Sequence, residues 1–264
     1  MQPVFYIPHG GGPCFFMDWT MGPPDTWDRM AAWLRTLVSG LEEMPRAVVV
    51  VSAHWEEPVV TVQSGANPPM LFDYTGFPKH TYELKWPAPG HPVLAEQIAT
   101  LIREAGIDVA ANDHRGYDHG VFVPLLLSLP DADLPTLQIS LKRGLDPAFH
   151  LALGKALAPL REEGVLIIGS GMSYHNFGGF MRPAGDADSK VFDAWMQETV
   201  ALGSTERNAR LARWADAPKG RASHPREEHL LPLMVCAGAA GDSAGKTVFT
   251  DHVMGVTVSG VRFG

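Results

Sequence analysis

The sequence is poor in cysteine: only Cys14 and Cys236 occur in 264 residues. Two thiols cannot build a disulfide scaffold or a cysteine-rich zinc module, and they suit a reducing compartment. Long apolar runs are also missing. No stretch approaches the ~18 residues that a membrane helix needs. The opening residues, Met1 to His9, carry no basic segment followed by an apolar core. No secretory leader is therefore expected, and a cytoplasmic protein is. Positive charge is in deficit, with 21 Lys and Arg against 29 Asp and Glu, a net charge of −8. That balance argues against nucleic-acid binding, which needs a basic footprint. There is no P-loop and no Gly-x-Ser-x-Gly elbow. Gly10-Gly11-Gly12 and Gly169-Ser170-Gly171 do not have the order of a dinucleotide fingerprint or an elbow. No repeat, low-complexity tract or linker divides the chain, so one domain over residues 1–264 is expected.

What is present is an ordinary globular balance, 45% hydrophobic and 19% charged. Short β-branched runs bounded by turn residues predict strands at Pro3–Ile7, Ala47–Val51, Pro58–Val62, Leu134–Leu141, Val165–Ile168, Lys246–Thr250 and Gly255–Val261. Helical patterns lie between them, at Asp25–Leu41, His91–Ala105, Val121–Leu129, Pro147–Arg161, Asp188–Leu202 and Pro225–Ala240. Near-continuous apolar strands alternating with helices predict an α/β fold: a central mixed, largely parallel sheet covered by helices on both faces. The stretch Ala66–Gly90 is the one long loop. It carries Phe72, Tyr74, Phe77, Tyr82 and Trp86. Loops of that length are uncommon unless functional, so a role over a site stands beside a packed surface excursion.

Histidine is the unusual residue, with eleven copies. His9 follows the first strand, His54 the second, and His175 the run Val165–Ile168. Ligands in an open α/β sheet bind beyond the carboxyl ends of the strands, so three strands each deliver an imidazole to that edge. His229 lies four residues into the helix expected from Pro225, beside a kink expected at Pro232. Imidazole suits Fe, Zn, Cu and Ni. Each histidine alone is more often structural than a ligand; the four together point to a metal site. His119, in Asp118-His119-Gly120, reads either as a hydrogen-bond donor to a ligand or as part of a helix start capped by Asp118. The remaining six read as surface or cap residues.

The segments Pro8-His9-Gly10, Ser52-Ala53-His54-Trp55, Gly76-Phe77-Pro78, Pro87-Ala88-Pro89-Gly90, Asp118-His119-Gly120, Gly169-Ser170-Gly171, His175-Asn176 and Arg226-Glu227-Glu228-His229-Leu230 form an ordered set. In this order the chain resembles the class III (LigB-type) extradiol ring-cleavage dioxygenases, in their DOPA 4,5-dioxygenase-like branch. The resemblance implies a mononuclear site with His9, His54 and His229 as metal ligands and Fe(II) as the working metal. It implies His175 as the acid/base, able to coordinate in a zinc-loaded form, and His119 as a substrate-facing donor. It also implies a small aromatic diol and O2 as substrates. Founding members of the superfamily use a carboxylate as third ligand; Glu227 and Glu228 stand next to His229. A three-imidazole site is more positive by one charge and also takes Zn(II).

The aromatic loop, with Tyr82 and Phe77, is expected to pack on the substrate ring. Lys142, Arg143 and Arg226 are candidate partners for a substrate carboxylate, against a plain solvated role. The alternative function is a zinc-binding, non-redox member of the same fold, either a hydrolase or a binding protein without enzymatic activity.

Overall fold

A computed structural model describes residues 1–264. The elements run β1 (Val4–Pro8), α1 (Asp28–Thr36), β2 (Ala47–Glu57), β3 (Val60–Gln63), α2 (Pro92–Glu104), β4 (Val109–Asn112), α3 (His119–Ser128) and β5 (Thr136–Lys142). There follow α4 (Pro147–Leu157), β6 (Val165–Gly171), α5 (Pro183–Val200), α6 (Ser204–Ala212), α7 (Gly220–Ser223), α8 (Leu231–Ala239), β7 (Gly245–Val253) and β8 (Val256–Phe263). No helix is long and apolar enough to cross a membrane.

The eight strands form one sheet in the order β4-β3-β5-β2-β6-β1-β8-β7. The central run β5-β2-β6-β1 is parallel throughout, whereas β8 and β7 add antiparallel at one side. Period-two alternation explains the uniform apolarity of the middle strands. Val49, Val51, Val165, Ile167, Val4 and Tyr6 face one core, while Val48, Val50, Leu166, Ile168, Phe5 and Ile7 face the other. The first core is closed by α2, α4, α5, α6 and α8, the second by α1 and α3 together with Tyr74 and Trp86 of the long loop. That loop is therefore a part of the second core as well as an excursion: Trp86 is fully buried and its indole donates to the Leu129 carbonyl at 2.9 Å.

Four expectations change. His229 is not inside a helix. The residues from Pro225 to Leu230 form turns, and α8 begins at Leu231 with Pro232 in its first turn. A proline without an N–H starts a helix more easily than it interrupts one. The first helix does not begin at Asp25: α1 starts at Asp28, three residues later, and Asp25 contributes only a carbonyl to a preceding turn. Strand β2 runs on past Val51 through His54 to Glu57, with its register against β5 shifting between Val51 and Glu56. Finally, His150 and His224 are fully buried rather than at the surface. Backbone groups bond both nitrogens of His150, the Asp146 carbonyl at 2.7 Å and the Lys142 N–H at 3.2 Å, whereas His224 bonds the Ser173 carbonyl at 2.9 Å and its Nδ1 has no partner.

Candidate metal centre

Each functional side chain is placed by a local backbone device at the carboxyl edge of the parallel strands. His9 ends β1, where its N–H donates to the Gly171 carbonyl at 3.1 Å and so extends the β1–β6 ladder by one bond. His54 lies in the β2 segment where register is lost. A bulge of that kind turns a side chain out of its strand face. His229 is fixed through its backbone: its carbonyl accepts from Tyr6 Oη at 2.8 Å and from Met172 N at 3.1 Å. Gly171 makes this approach possible, since a Cβ there would overlap the His229 carbonyl.

His119 is the first residue of α3. Pro124 inside that helix has no N–H for the Gly120 carbonyl. The freed carbonyl instead accepts from Ser170 Oγ on β6, which ties the α3 N-terminus to the sheet edge. Gly120 also permits the close approach, because a Cβ there would stand 2.6 Å from Ser52 Oγ and 3.1 Å from His54 Cδ2. Asp118 is not a side-chain cap. It is fully buried and accepts from Ser52 Oγ at 2.8 Å, Arg115 Nη2 at 2.8 Å and Gln138 Nε2. Asp73 takes the capping place: its Oδ1 accepts from the His119 backbone N–H at 2.9 Å and from His119 Nδ1 at 2.8 Å. His175 follows β6 and is held by its N–H to the Ser223 carbonyl at 3.0 Å, while Asn176 Nδ2 donates to Ala222 O at 2.7 Å.

These devices bring five imidazoles together. Ring centroids lie 4.8 Å apart for His9–His54, 5.2 Å for His9–His229 and 4.8 Å for His54–His229. His9, His54 and His229 each offer one ligand nitrogen, and the three nitrogens lie within 4.8 Å of one another. His119 stands 3.9 Å from His54, and His175 stacks on His229 at 3.4 Å. The cluster disfavours protonation. Burial, with the neighbouring rings adding to it, holds His9 and His54 well below the usual imidazole value. Burial likewise lowers His229, to about 4, against the raising effect of Glu228. Neutral imidazoles with free lone pairs are the form a metal binds.

Residues 4–263 match the model of a protein family described as the catalytic LigB subunit of aromatic ring-opening dioxygenase. The chain belongs to the LigB family. It is 38% identical to a 4,5-DOPA dioxygenase extradiol of Beta vulgaris, with 92% of this chain and 89% of that protein aligned. It is 34% identical to the dioxygenase tasH of Hapsidospora irregularis, over 98% of this chain and 84% of that one. The fold matches the crystal structure of an uncharacterized protein, JW3007, of Escherichia coli K12, with a TM-score of 0.80, 27% identity and full coverage of both chains. This LigB-family chain is accordingly an aromatic ring-opening dioxygenase, and a metal-dependent one.

The residues present fit a metal. His229 Nε2 and His9 Nδ1 are buried and without any hydrogen-bond partner, and His9 Nε2 lies 3.2 Å from His54 Nε2. Unpartnered buried nitrogens are costly unless something fills the site. Both glutamates beside His229 point elsewhere. Glu227 pairs with Arg221 at 2.6 Å, and Glu228 lies behind the His175 and His229 rings at their Nδ1 atoms. Burial alone would raise Glu228, but hydrogen bonds from His175 and His229 outweigh it and hold the carboxylate ionised.

Of the loop aromatics, Tyr74 stands against His119, with ring centroids 5.9 Å apart. Phe77 sits over Gly12 and packs on Tyr74, and Tyr82 packs on Tyr74 and Phe72. Arg226 is engaged by Glu56 in a bidentate pair at 2.6 and 2.7 Å. Lys142 lies over the Phe149 ring. Sequence reasoning missed Asp73, Tyr74 as the loop aromatic set against His119, and Glu228 as a hydrogen-bond acceptor. No short motif marks the first two; the third was visible only as a neighbour of His229.

Proposed function

We propose that the chain opens the ring of a DOPA-like catechol with O2, using Fe(II) held by His9, His54 and His229, with residues 1–264 acting as one catalytic domain. The observation that carries this reading is the set of three buried imidazoles with converging nitrogens, flanked by two further imidazoles. The relatives named 4,5-DOPA dioxygenase extradiol supply the substrate class. Two buried, unpaired thiols support a cytoplasmic setting.

Bound there, iron supplies Lewis acidity toward the phenolic oxygens and the electrons through which ring and dioxygen react. The protein supplies the rest. His175 takes the second phenolic proton at Nε2 and returns it as an acid, a task suited to an imidazole that can both accept and donate a proton. His119, with its Nδ1 committed to Asp73, turns Nε2 toward the substrate and the developing charge. Tyr74 forms the wall beside His119, with Phe77 and Tyr82 behind it, and the wall contacts the substrate ring.

The test is anaerobic reconstitution with Fe(II), then a catechol panel and air, with visible absorbance and oxygen uptake recorded. A yellow ring-fission product with iron-dependent uptake is expected. His9→Ala, His54→Ala and His229→Ala should each lose the metal. Iron bound at these residues without uptake on any catechol would overturn the reading in favour of a zinc enzyme of other chemistry.

A further inference from the structure

Glu228 makes a contact pattern that none of the roles above uses. Its Oε1 accepts from His229 Nδ1 at 2.9 Å and lies 3.2 Å from His175 Nδ1, within ion-pair reach. The two rings stack nearly parallel, 16° apart with centroids at 3.4 Å, as a shared acceptor requires. The other carboxylate oxygen faces Arg226 Nη1 at 3.3 Å, and Arg226 is anchored by Glu56 on β2, two residues beyond His54. The side chain is only 13% exposed, so water does not compete freely for these oxygens.

A neutral imidazole carries a single N–H. A carboxylate only accepts, so a ring nitrogen facing it must hold the proton. Both Nδ1 atoms are then N–H, and both Nε2 atoms carry free lone pairs. His229 Nε2 is buried without a partner, as a ligand atom awaiting a metal would be. We propose that Glu228 is a positioning residue that sets the tautomer of His229 and of His175 together, making one a metal ligand and the other a proton acceptor. The proposal rests on the iron-dioxygenase reading above. Without Glu228 the proton returns to Nε2, the tautomer that free imidazole prefers. An Nε2–H can neither bind a metal nor accept a proton. One substitution then removes both functions while leaving all five histidines in place. Partners of metal-ligating histidines elsewhere act in this manner on a single ring; here one oxygen serves two.

The experiment reads tautomers directly, by long-range proton–nitrogen NMR of the metal-free protein, alongside metal titration. In the wild type both His175 and His229 should show Nδ1–H, assigned by His175→Gln and His229→Gln. Glu228→Ala should shift both to Nε2–H and weaken metal binding by about 10–100-fold. Glu228→Gln keeps an acceptor oxygen of the same reach. It should restore the tautomers and bring metal binding back to within about threefold of the wild type. A Glu228→Ala protein with unchanged tautomers and unchanged metal affinity would overturn the proposal. If that variant fails to fold, the wild-type spectrum decides alone, because Nε2–H on either ring is incompatible with it. Nδ1–H on both rings with no iron-dependent ring opening would sink the dioxygenase reading and leave the positioning role standing.

Discussion

A histidine buried without a charge partner resists protonation, and His224 shows the cost of that most plainly. Burial pushes it down to about 3, against the raising effect of its bond to the Ser173 carbonyl. In the unfolded chain it titrates near 6.5. Between those values the unfolded state holds the extra proton, so stability rises with pH and is lost on acidification. From pH 7 to pH 5 this one group should remove about 2 kcal/mol of unfolding free energy. Urea denaturation at both pH values should show that loss in the wild type and a smaller one in His224→Gln. At the active centre, His175→Gln should retain iron but lower kcat by about 10²–10⁴-fold, the usual worth of a positioned acid/base. Metal analysis beside steady-state kinetics checks it; turnover within a few-fold of the wild type would remove the base assignment. Histidine roles were only partly legible in the sequence. Strand-end positions marked His9, His54 and His175, but nothing distinguished the buried His150 and His224 from surface residues, because the backbone groups they bond lie far from them in the chain or carry no sequence mark.

Helix α3 shows how an element carries a side chain to the site. Pro124 frees the Gly120 carbonyl, and Ser170 on β6 satisfies it. Ser170→Ala should leave that buried carbonyl unpaired and lower stability by about 1–3 kcal/mol. Adding Pro124→Ala should recover part of the loss, since residue 124 regains an N–H for the same carbonyl. A double-mutant cycle by chemical denaturation measures this coupling, and strict additivity would rule it out. The aromatic loop makes a different prediction. Its deletion would remove Trp86 from the core, so Tyr74→Leu is the cleaner probe. That variant should raise KM for catechols several-fold with iron affinity unchanged, and parallel loss of both would make Tyr74 structural. Seven of the eight strands were legible from β-branched runs. The missed one, β4, reads Val-Ala-Ala-Asn, is half exposed and offers no such run. The turn before α8 was taken for helix because a proline near a helix start does not say which of two prolines, Pro225 or Pro232, begins it.

The proposed ligands come from positions 9, 54 and 229, on three separate segments that the sheet edge draws together. A metal bound there stabilises only the folded chain. At a free metal concentration 100 times its Kd it should add about 2.7 kcal/mol, seen as a higher Tm that chelator reverses. Equal melting with and without metal would place the ion off this site. The sheet class was legible because period-two burial on both faces writes itself into the strands. The partnership of Asp73 with His119 was not, because it joins residues far apart in the chain.

Strand β1 lies between β6 and β8, so the segment bearing the first ligand is flanked on one side by residues 256–263. A chain without β8 would keep all five histidines of the centre but leave the His9 strand with an open edge. Damage to β8 therefore reaches the centre through β1 and bears on His9 first.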